Sequence, residues 1–508
     1  MKLSHLIANV DGVSVVRSSD PTVLAVTDDS RLVGPCTLFI ARCGSRGDGT
    51  HFIADAVARG AVAICVDASV DLSGATVQCA RATEPVAILV ATDATRATSA
   101  LAQTFHGFPT RAMRMVGITG TNGKTTTAFL TQHLINHAGT RCGLLGTVLT
   151  DDGNTREPAE LTTPGATELA SIFARMVHNR CACAVMEVSS HALDQGRVDG
   201  IDFAVGVFTN LTGDHLDYHL TMEAYGAAKA KLFRTLASGS CAVVNCDDAA
   251  HEQMVRGCSA RILRCSARES RAECFVEVVR VTLGGMALRM RGPWGDLDVE
   301  FQSIGRHNAM NALQAAAAAW SVGVDVSALA RGFAGAVAPP GRLEFVTSAT
   351  SDFAVLVDYA HTDDALFNVL AAVRPVVTDG RLILVFGCGG DRDRSKRPRM
   401  AQTAVTHADH VIVTSDNPRT ESPQAIIDEI CSGIQANCAA TVEQQCDRAT
   451  AIRSAIGMAR PGDLVLIAGK GHEDYQIIGK EKFPFDDRIE ARAALASCAT
   501  RTIQGVSL

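Results

Sequence analysis

The sequence lacks the cysteine pattern of a zinc site or a disulfide framework. Its 508 residues include 17 cysteines, but these are scattered singly or as Cys181-x-Cys183, and no Cys-x-x-Cys pair occurs. Zinc sites and disulfide scaffolds are recognised by paired or regularly spaced cysteines. We therefore expect neither, and the unpaired cysteines indicate a protein of the reducing cytoplasm.

Long apolar runs are missing as well. No stretch approaches the roughly 20 apolar residues of a membrane-spanning helix, and the alanine run at residues 315–319 favours a helix buried through small side chains. The N-terminal segment MKLSHLIANVDG has an apolar run that Asp11 cuts short, so it is not expected to act as a signal peptide. The sequence predicts no membrane insertion.

Positive charge is not in excess either. Lys and Arg number 47 against 54 Asp and Glu, which gives a formal net charge of −7. This balance is too acidic for a protein that coats nucleic acid or an anionic membrane, so no nucleic-acid partner is expected. Hydrophobic residues make up 47% of the chain and charged residues 20%, which favours globular domains with buried cores.

The order of apolar segments predicts three α/β domains. A length of 508 residues corresponds to about three domains, and short apolar runs alternate with amphipathic stretches throughout. Phe108-Pro109 and Pro339-Pro340-Gly341 break this pattern. We predict domains at residues 1–109, 110–338 and 339–508, with a parallel or mixed sheet of the P-loop ATPase type in the centre and a Rossmann-like C-terminal domain.

A phosphate-binding loop is predicted at the start of the central domain. The segment MVGITGTNGKTT at residues 115–126 gives a strand, a glycine-rich turn and a helix start in that order. Such a turn directs backbone N–H groups at phosphate oxygens, Lys124 would neutralise the phosphates and Thr125 would hold Mg²⁺. Ile118 replaces the first glycine of the strict G-x-x-x-x-G-K-[ST] pattern. A purely structural glycine turn does not explain Gly-Lys-Thr after an apolar strand, and we expect the loop to be exposed.

Several blocks together resemble the Mur ligase family. GTNGKTT at residues 120–126 is similar to the variant phosphate loop of Mur ligases and folylpolyglutamate synthetases. Further similar blocks, in order and spacing, are EVSSH at 187–191, TNL at 209–211, DHLDYH at 214–219, GRHNAMNA at 305–312, DNPR at 416–419 and GKGHED at 469–474. The last two resemble the branch that adds meso-diaminopimelate. The recognisable blocks run from Asp29 to Arg488.

The resemblance implies an ATP-dependent amide ligase of cytoplasmic peptidoglycan precursor synthesis. Such an enzyme would add meso-diaminopimelate to the D-Glu side-chain carboxylate of UDP-MurNAc-L-Ala-D-Glu through an acyl phosphate, releasing ADP and phosphate. ATP, two Mg²⁺ ions and these two substrates are the implied ligands, and a monomer is expected. Two alternatives stay open: a folylpolyglutamate synthetase, which would lack the first domain, and a catalytically silent nucleotide-binding protein.

The resemblance also implies the catalytic, metal and nucleotide residues. Lys124, Glu187, His215 and Lys229 are the implied catalytic group. Thr125, Glu187, His215 and Lys229 would hold metal, with Lys229 converted by CO₂ into a carbamate. The implied ATP-binding residues are Gly120, Thr121, Asn122, Gly123, Lys124, Thr125, Thr126, Asn308, Arg342 and Asp358.

For several of these residues the chemistry alone leaves a plainer interpretation. His215 could equally be a structural or acid/base residue, because magnesium prefers oxygen ligands. Lys229 could be a solvated surface charge, and Lys231 competes for the modification. Asn308 and Asn311 could be a helix cap and a surface residue. Asp363 stands where the family usually has proline, without moving the assignment of Asp358.

The resemblance implies that a further set of residues would bind the two substrates. The UDP-MurNAc-dipeptide residues are Ser30, Thr162, Thr163, Ser189, Gln195 and Arg197, with the polar runs at 29–31 and 47–49 forming the uridine site unless they are ordinary polar loops. The diaminopimelate residues are Arg392, Asp416, Asn417, Pro418, Arg419, Gly469 and Glu473. The planar guanidinium of Arg419 would bind the far carboxylate of diaminopimelate through two parallel hydrogen bonds. The alternative for residues 416–419 is a proline turn capped by Asp416.

Overall fold

Three large sheets organise the molecule. The computed structural model describes residues 1–8, 10–17, 19–44, 47–74, 85–282, 284–346, 352–435 and 437–504. Within them, sheets of five, eleven and six strands follow one another along the chain, together with two small two-stranded sheets. Helices cover the sheets, so the architecture is α/β with three sheet-containing domains, and this predicted fold class is confirmed.

The N-terminal sheet has the order β1-β7-β6-β3-β2, in which only the edge strand β1 is antiparallel to its neighbour. Its inner strands are almost fully buried because helices pack on them. The strands of this domain are β1 (Val13–Arg17), β2 (Ala25–Thr27), β3 (Thr37–Ala41), β4 (Cys43–Gly44), β5 (Gly47–Asp48), β6 (Ala61–Asp67) and β7 (Ala87–Ala91), and β4 and β5 form a separate two-stranded sheet. Its helices are α1 (Leu3–Ile7), α2 (Ile53–Ala58) and α3 (Ala94–Phe105).

The central sheet is mixed. Its strands are β8 (Arg114–Thr119), β9 (Cys142–Leu145), β10 (Leu149–Asp151), β11 (Arg156–Pro158), β12 (Cys183–Glu187), β13 (Phe203–Phe208), β14 (Cys241–Asn245), β15 (Arg261–Ser266), β16 (Cys274–Thr282), β17 (Gly285–Gly292) and β18 (Gly295–Phe301). In the order β11-β10-β9-β12-β8-β13-β14-β15-β16-β17-β18, strands β9 to β16 run parallel and both ends of the sheet are antiparallel.

Helices of this domain bring the catalytic candidates to one edge of the sheet. They are α4 (Lys124–His137), α5 (Ala166–His178), α6 (Ser190–Asp194), α7 (Leu216–His219), α8 (Met222–Arg234), α9 (His251–Val255), α10 (Arg306–Ser321) and α11 (Val326–Ala334). The alanines of α10 are fully buried, so the helix lies close against the sheet, as the alanine run predicted. Because β8, β12 and β13 are parallel neighbours, the loops after them meet at one edge.

The C-terminal sheet has the order β19-β20-β24-β21-β22-β23 and is parallel except for β19. Its strands and the adjoining hairpin are β19 (Glu344–Phe345), β20 (Ala354–Asp358), β21 (Leu382–Phe386), β22 (His410–Thr414), β23 (Thr441–Gln445), β24 (Leu464–Ala468), β25 (Tyr475–Ile478) and β26 (Glu481–Pro484). Its helices are α12 (Asp363–Val373), α13 (Lys396–His407), α14 (Pro423–Cys431), α15 (Arg448–Met458) and α16 (Asp487–Gln504). None of the helices in the described ranges is long and apolar enough to span a membrane.

Candidate active site

The predicted phosphate loop connects β8 to α4. Two of its glycines have positive φ angles, +149° at Gly120 and +82° at Gly123. A Cβ at Gly120 would strike Thr209 Oγ1, and one at Gly123 would lie 2.5 Å from Asn311 Oδ1. Glycine is therefore required at both places for space as well as for backbone conformation.

The loop is half-buried, so the expectation that it is exposed is wrong. The segment after β13 covers it: Thr121 N donates to Asn210 O at 2.9 Å and Asn122 N to Asn210 Oδ1 at 2.8 Å. Lys124 Nζ donates to the carbonyl oxygens of Gly120 (3.0 Å) and Thr121 (2.7 Å). Burial lowers the pKa of Lys124, although the nearby charge of Glu187 opposes the shift.

Glu187 ends β12 and reaches the first turn of α4. Its Oε2 accepts hydrogen bonds from Thr125 Oγ1 and Thr147 Oγ1, both at 3.1 Å, and its Oε1 accepts one from Thr147 N at 2.8 Å. The side chain is fully buried. A hydroxyl and a carboxylate side by side at a phosphate loop are the hard oxygen donors that Mg²⁺ prefers.

Lys229 lies on α8 and points into the protein. It is 1% exposed, its Nζ donates to Gly120 O at 2.8 Å, and the Nζ sits 4.2 Å from the centre of the Tyr225 ring. Burial, reinforced by the charge of Lys124, holds the pKa of Lys229 well below its usual range. Lys231 is exposed and pairs with Asp194 at 2.8 Å. The surface interpretation is therefore wrong for Lys229 and right for Lys231.

His215 stands at the start of α7 with a φ of +54°. Its ring centre is 4.9 Å from that of His191 and 6.2 Å from that of Tyr225. Partial burial lowers the pKa of His215 to about 4, against the opposing charge of Asp214, whose Oδ2 is 3.5 Å from His215 Nε2. The imidazole is thus neutral at pH 7 and able to offer a lone pair.

The nucleotide candidates line one cavity between the central and C-terminal domains. Asn308 and Asn311 are buried and hydrogen-bonded to each other at 3.1 Å, so neither is a surface residue. Asn308 Nδ2 also donates to Ser303 Oγ and Ile304 O, both at 2.9 Å. The predicted ATP-binding residues that line this cavity are Asn122, Gly123, Thr126, Asn308, Arg342 and Asp358.

Two residues of the C-terminal domain complete this side of the site. Arg342 Nη2 donates to Thr125 Oγ1 at 3.3 Å and its guanidinium carbon lies 4.7 Å from the centre of the Tyr359 ring. Asp358 accepts the backbone N–H groups of Leu343 (2.7 Å) and Ala360 (2.8 Å). Burial raises the pKa of Asp358, and Arg342 opposes that shift.

Asp363, which replaces the usual proline, begins α12. Thr362 caps this helix, and Asp363 pairs with Arg399 at 2.9 Å. An acidic residue in the first turn interacts favourably with the helix dipole. The substitution therefore keeps the helix start that follows Asp358.

The muramoyl-peptide candidates cluster beside Glu187. Thr163 Oγ1 donates to Glu187 O at 2.8 Å and accepts from Ser189 N at 3.0 Å. Arg197 Nη1 donates to Thr163 O at 2.8 Å, and its Nη2 donates to Gln195 Oε1 at 2.6 Å. Thr162 joins them through Thr147, with 3.1 Å between the two hydroxyl oxygens. The structure thus brings together every predicted peptide residue of the central domain.

The uridine candidates form contacts mainly within their own loops. Asp29 caps the short turn at Ser30–Leu32 and pairs with Arg31 at 2.6 Å, and Asp48 caps the next such turn. Both polar runs therefore have a local structural role, as the alternative interpretation held. Asp28, which the sequence analysis missed, receives Arg42 Nε at 2.8 Å and Thr167 Oγ1 at 2.9 Å, which ties the first domain to α5.

The diaminopimelate candidates meet at the carboxyl ends of β22 and β24. Asp416 and Asn417 are buried, and Gly469 has a φ of +118° where a Cβ would lie 2.7 Å from Asp416 Oδ2. Asn417 Nδ2 donates to Glu473 Oε2 at 2.8 Å. Arg419 is half-buried, and its Nη1 donates to Gly390 O at 2.8 Å.

Arg392 does not join this buried group. It is exposed, and its Nη1 donates to the neighbouring carbonyl of Asp391 at 3.2 Å. Sequence reasoning also missed Thr147, Tyr225 and Lys470. Lys470 lies inside the GKGHED motif, so the motif itself was the signal, whereas nothing in the sequence near Thr147 points to Glu187.

Comparison with known proteins gives matches over most of the chain. Three family models match: "Mur ligase family, catalytic domain" at residues 22–104, "Mur ligase middle domain" at 118–319 and "Mur ligase, glutamate ligase domain" at 341–471. The UDP-N-acetylmuramoyl-L-alanyl-D-glutamate–2,6-diaminopimelate ligase of Synechococcus elongatus is 45% identical over 94% of this chain and 95% of its own.

Two further proteins extend the likeness. The ligase of the same name from Trichormus variabilis is 42% identical over 97% of this chain and 99% of its own. A solved structure of a ligase of that name is 33% identical, covers 94% of this chain and 95% of its own, and superposes with a TM-score of 0.67. On these matches the chain belongs to the Mur ligase family.

Proposed function

We propose that this protein is the ATP-dependent ligase that adds meso-diaminopimelate to the D-Glu side-chain carboxylate of UDP-MurNAc-L-Ala-D-Glu in peptidoglycan precursor synthesis. The observation that carries the reaction class is the convergence on Thr125, where Glu187 of β12 and Arg342 of the C-terminal domain both form hydrogen bonds. The names of relatives at 40–45% identity support the choice of substrates.

The reaction begins with activation of the carboxylate, because oxide is too poor a leaving group for direct attack by an amine. The γ-phosphoryl group of ATP passes in line to the D-Glu carboxylate and gives an acyl phosphate. Lys124 and Arg342 neutralise the charge that develops on the transferred group. The diaminopimelate amine then attacks the acyl carbon, and the tetrahedral intermediate expels phosphate.

Magnesium fits the oxygen donors at the phosphate loop. Thr125 and Glu187 would hold one ion. Glu187, His215 and a carbamate on Lys229 would hold the second. When bound, Mg²⁺ would neutralise charge during phosphoryl transfer. No cluster of three or more His, Cys, Asp or Glu side chains suited to a metal occurs among the described residues. This suits Mg²⁺, which usually takes only one or two carboxylates and completes its shell with phosphates and water.

The proposal includes a carbamate on Lys229, which the surroundings of its amine support. A lysine reacts with CO₂ only when neutral: its nitrogen bonds to the carbon and a proton is released, leaving an N-carboxylate. Burial holds the pKa of Lys229 well below its usual range and so favours that neutral amine next to the loop. The new carboxylate would give the site the oxygen ligand that an ammonium cannot provide.

The remaining assignments belong to the same proposal. Asn308 and Asp358 would hold adenine and ribose, the group around Thr163 the muramoyl peptide, Ser30 the uridine end, and the group around Asp416 diaminopimelate. The domain boundaries at 109/110 and 338/339 fall between the last strand of one large sheet and the first of the next. We also propose a cytoplasmic monomer.

The two alternatives are less well supported. A folylpolyglutamate synthetase would not need the N-terminal sheet that precedes β8, and the diaminopimelate ligases match across that region. A silent nucleotide-binding protein would not need Lys124, Glu187 and Lys229 gathered at one loop.

A competition experiment tests the substrate choice. Purified protein with ATP, Mg²⁺ and UDP-MurNAc-dipeptide is offered diaminopimelate and lysine together, and the products are counted by mass spectrometry. Lysine lacks the carboxylate that Arg419 would bind, so we expect a preference for diaminopimelate of at least ~10²-fold in kcat/KM, reduced in Arg419→Ala. Arg394→Ala, an exposed arginine paired with Glu429, is the matched control. Efficient lysine addition by the unaltered protein would refute the proposal.

A further inference from the structure

We propose that Lys470 is a positioning residue for the incoming amino acid, a role that rests on the proposed function of this pocket. Lys470 lies two residues after the end of β24, and its side chain is fully buried. Its Nζ lies 2.9 Å from Glu473 Oε2 and 3.1 Å from Asn417 Oδ1, and 5.5 Å from the centre of the Tyr475 ring. One buried cation thus holds two of the residues assigned to diaminopimelate.

Lys470 fixes which way the Asn417 amide faces. A lysine ammonium is only a donor, so the group turned toward it must be the amide oxygen. The backbone N–H of Ile477 donates to the same oxygen at 2.9 Å. The amide nitrogen is thereby turned to Glu473 Oε2, which it reaches at 2.8 Å.

The same contacts leave one oxygen of Glu473 for the substrate. Oε2 receives both Lys470 and Asn417, whereas no residue in the described part of the chain donates to Oε1. The Glu473 side chain is 15% exposed, so solvent and ligands reach it. An ionised carboxylate with one oxygen anchored and the other open is suited to bind an ammonium group.

Arg448, not Lys470, forms the hydrogen bonds that hold the neighbouring strand ends together. Arg448 joins the ends of β22 and β24 by donating to Ser415 O (3.2 Å) and Ala468 O (2.9 Å), and it is paired with the fully buried Asp487 at 2.7 Å. Among the described residues, Lys470 Nζ donates to no strand end. Its hydrogen bonds go to the two side chains that the substrate would meet.

The test is Lys470→Gln. This substitution replaces the ammonium group by a neutral amide, which can still donate hydrogen bonds, and so removes the charge. We expect KM for diaminopimelate to rise about 10- to 100-fold, the scale of losing a hydrogen bond to a charged group. The kcat and the KM for ATP should stay within about twofold, because the phosphate loop is untouched. Lys480→Met, an exposed lysine in the turn before β26, is the matched control and should leave all three constants unchanged. If Lys470→Gln is recovered unfolded, Lys470→Met is measured in its place.

A double-mutant comparison separates positioning from general damage. In a Glu473→Gln background, Lys470→Gln should raise KM for diaminopimelate by less than about twofold further, because its effect passes through Glu473. Fully multiplicative effects, a fall in kcat with KM unchanged, or an equal rise in KM for ATP would overturn the proposal. Absence of diaminopimelate addition by the unaltered protein is a different result: it removes the proposed function, and this inference with it.

Discussion

Two buried lysines, one in the central domain and one in the C-terminal domain, show how neighbouring groups determine the chemistry of a lysine side chain. Lys229 has a carbonyl oxygen and a tyrosine ring as neighbours, and its pKa is held well below the usual range by burial. Lys470 is equally buried but forms an ion pair with Glu473 at 2.9 Å. Burial without a charged partner favours the neutral, nucleophilic amine at Lys229, whereas Lys470 has the Glu473 carboxylate as an ion-pair partner.

The largest effect on activity is expected for a substitution of Lys229. We expect Lys229→Ala to lose about 10³-fold or more in turnover, because an oxygen ligand at the phosphate loop is missing. Acetate should partly restore activity by occupying the vacated ligand position, as a small carboxylate can. Lys231→Ala, which removes an exposed lysine two residues away, is the matched control. Full activity of Lys229→Ala, or acetate rescue of a Lys231 variant instead, would remove the modification from Lys229.

A smaller loss is expected at Lys124, which shares the Gly120 carbonyl with Lys229. Lys124→Ala should reduce turnover by at least ~10²-fold, since one electrostatic stabiliser of the transferred phosphoryl group is lost. Single-turnover assays with a fold check by circular dichroism measure this. Near-normal product formation by the folded variant would contradict the role of Lys124.

Stability measurements sharpen the comparison without any assay of activity. Lys470→Met should destabilise the fold by about 3 kcal/mol, because it leaves Glu473 without its cation, whereas Lys229→Met should stabilise it by about 1 kcal/mol in CO₂-free buffer. The size of the stabilisation by Lys229→Met depends on pH. The unfolded state takes up a proton at Lys229 below a pKa of about 10.4, and the folded state does so only at lower pH.

The advantage of Lys229→Met should therefore be greatest at low and neutral pH and shrink as the pH rises toward about 10.4. Urea unfolding at several pH values, with Lys231→Met as control, checks this. A destabilised Lys229→Met, or an advantage that grows with pH, would show that Lys229 does not carry an unpaired buried amine.

The sequence predicted the elements better than it predicted their burial. The strand, glycine turn and helix around Gly120 follow from local chemistry, and the strand after which Asp416 lies follows from its apolar run. Whether Lys229 or Lys231 faces the core depends on how α8 packs against the phosphate loop, which local spacing does not decide. The half-buried loop was missed for the same reason, because Asn210 covers it from a distant segment.

Long-range polar pairs were the other gap. Asp28 and Thr167 meet across two domains, and Thr147 reaches Glu187 from the turn between β9 and β10. Lys470 and Glu473, three residues apart, have the spacing of an ordinary surface pair, yet the lysine is fully buried. Only the fold distinguishes such a pair from a solvated one.

The carbonyl oxygen of Gly120 has a consequence for inhibitor design. Both Lys124 and Lys229 donate to this backbone atom. No mutation can delete a main-chain oxygen, and any larger residue at Gly120 would strike Thr209 Oγ1. A small molecule whose donor displaces one of these lysines from the oxygen would therefore meet a target that resistance substitutions at Gly120 cannot alter without distorting the loop itself.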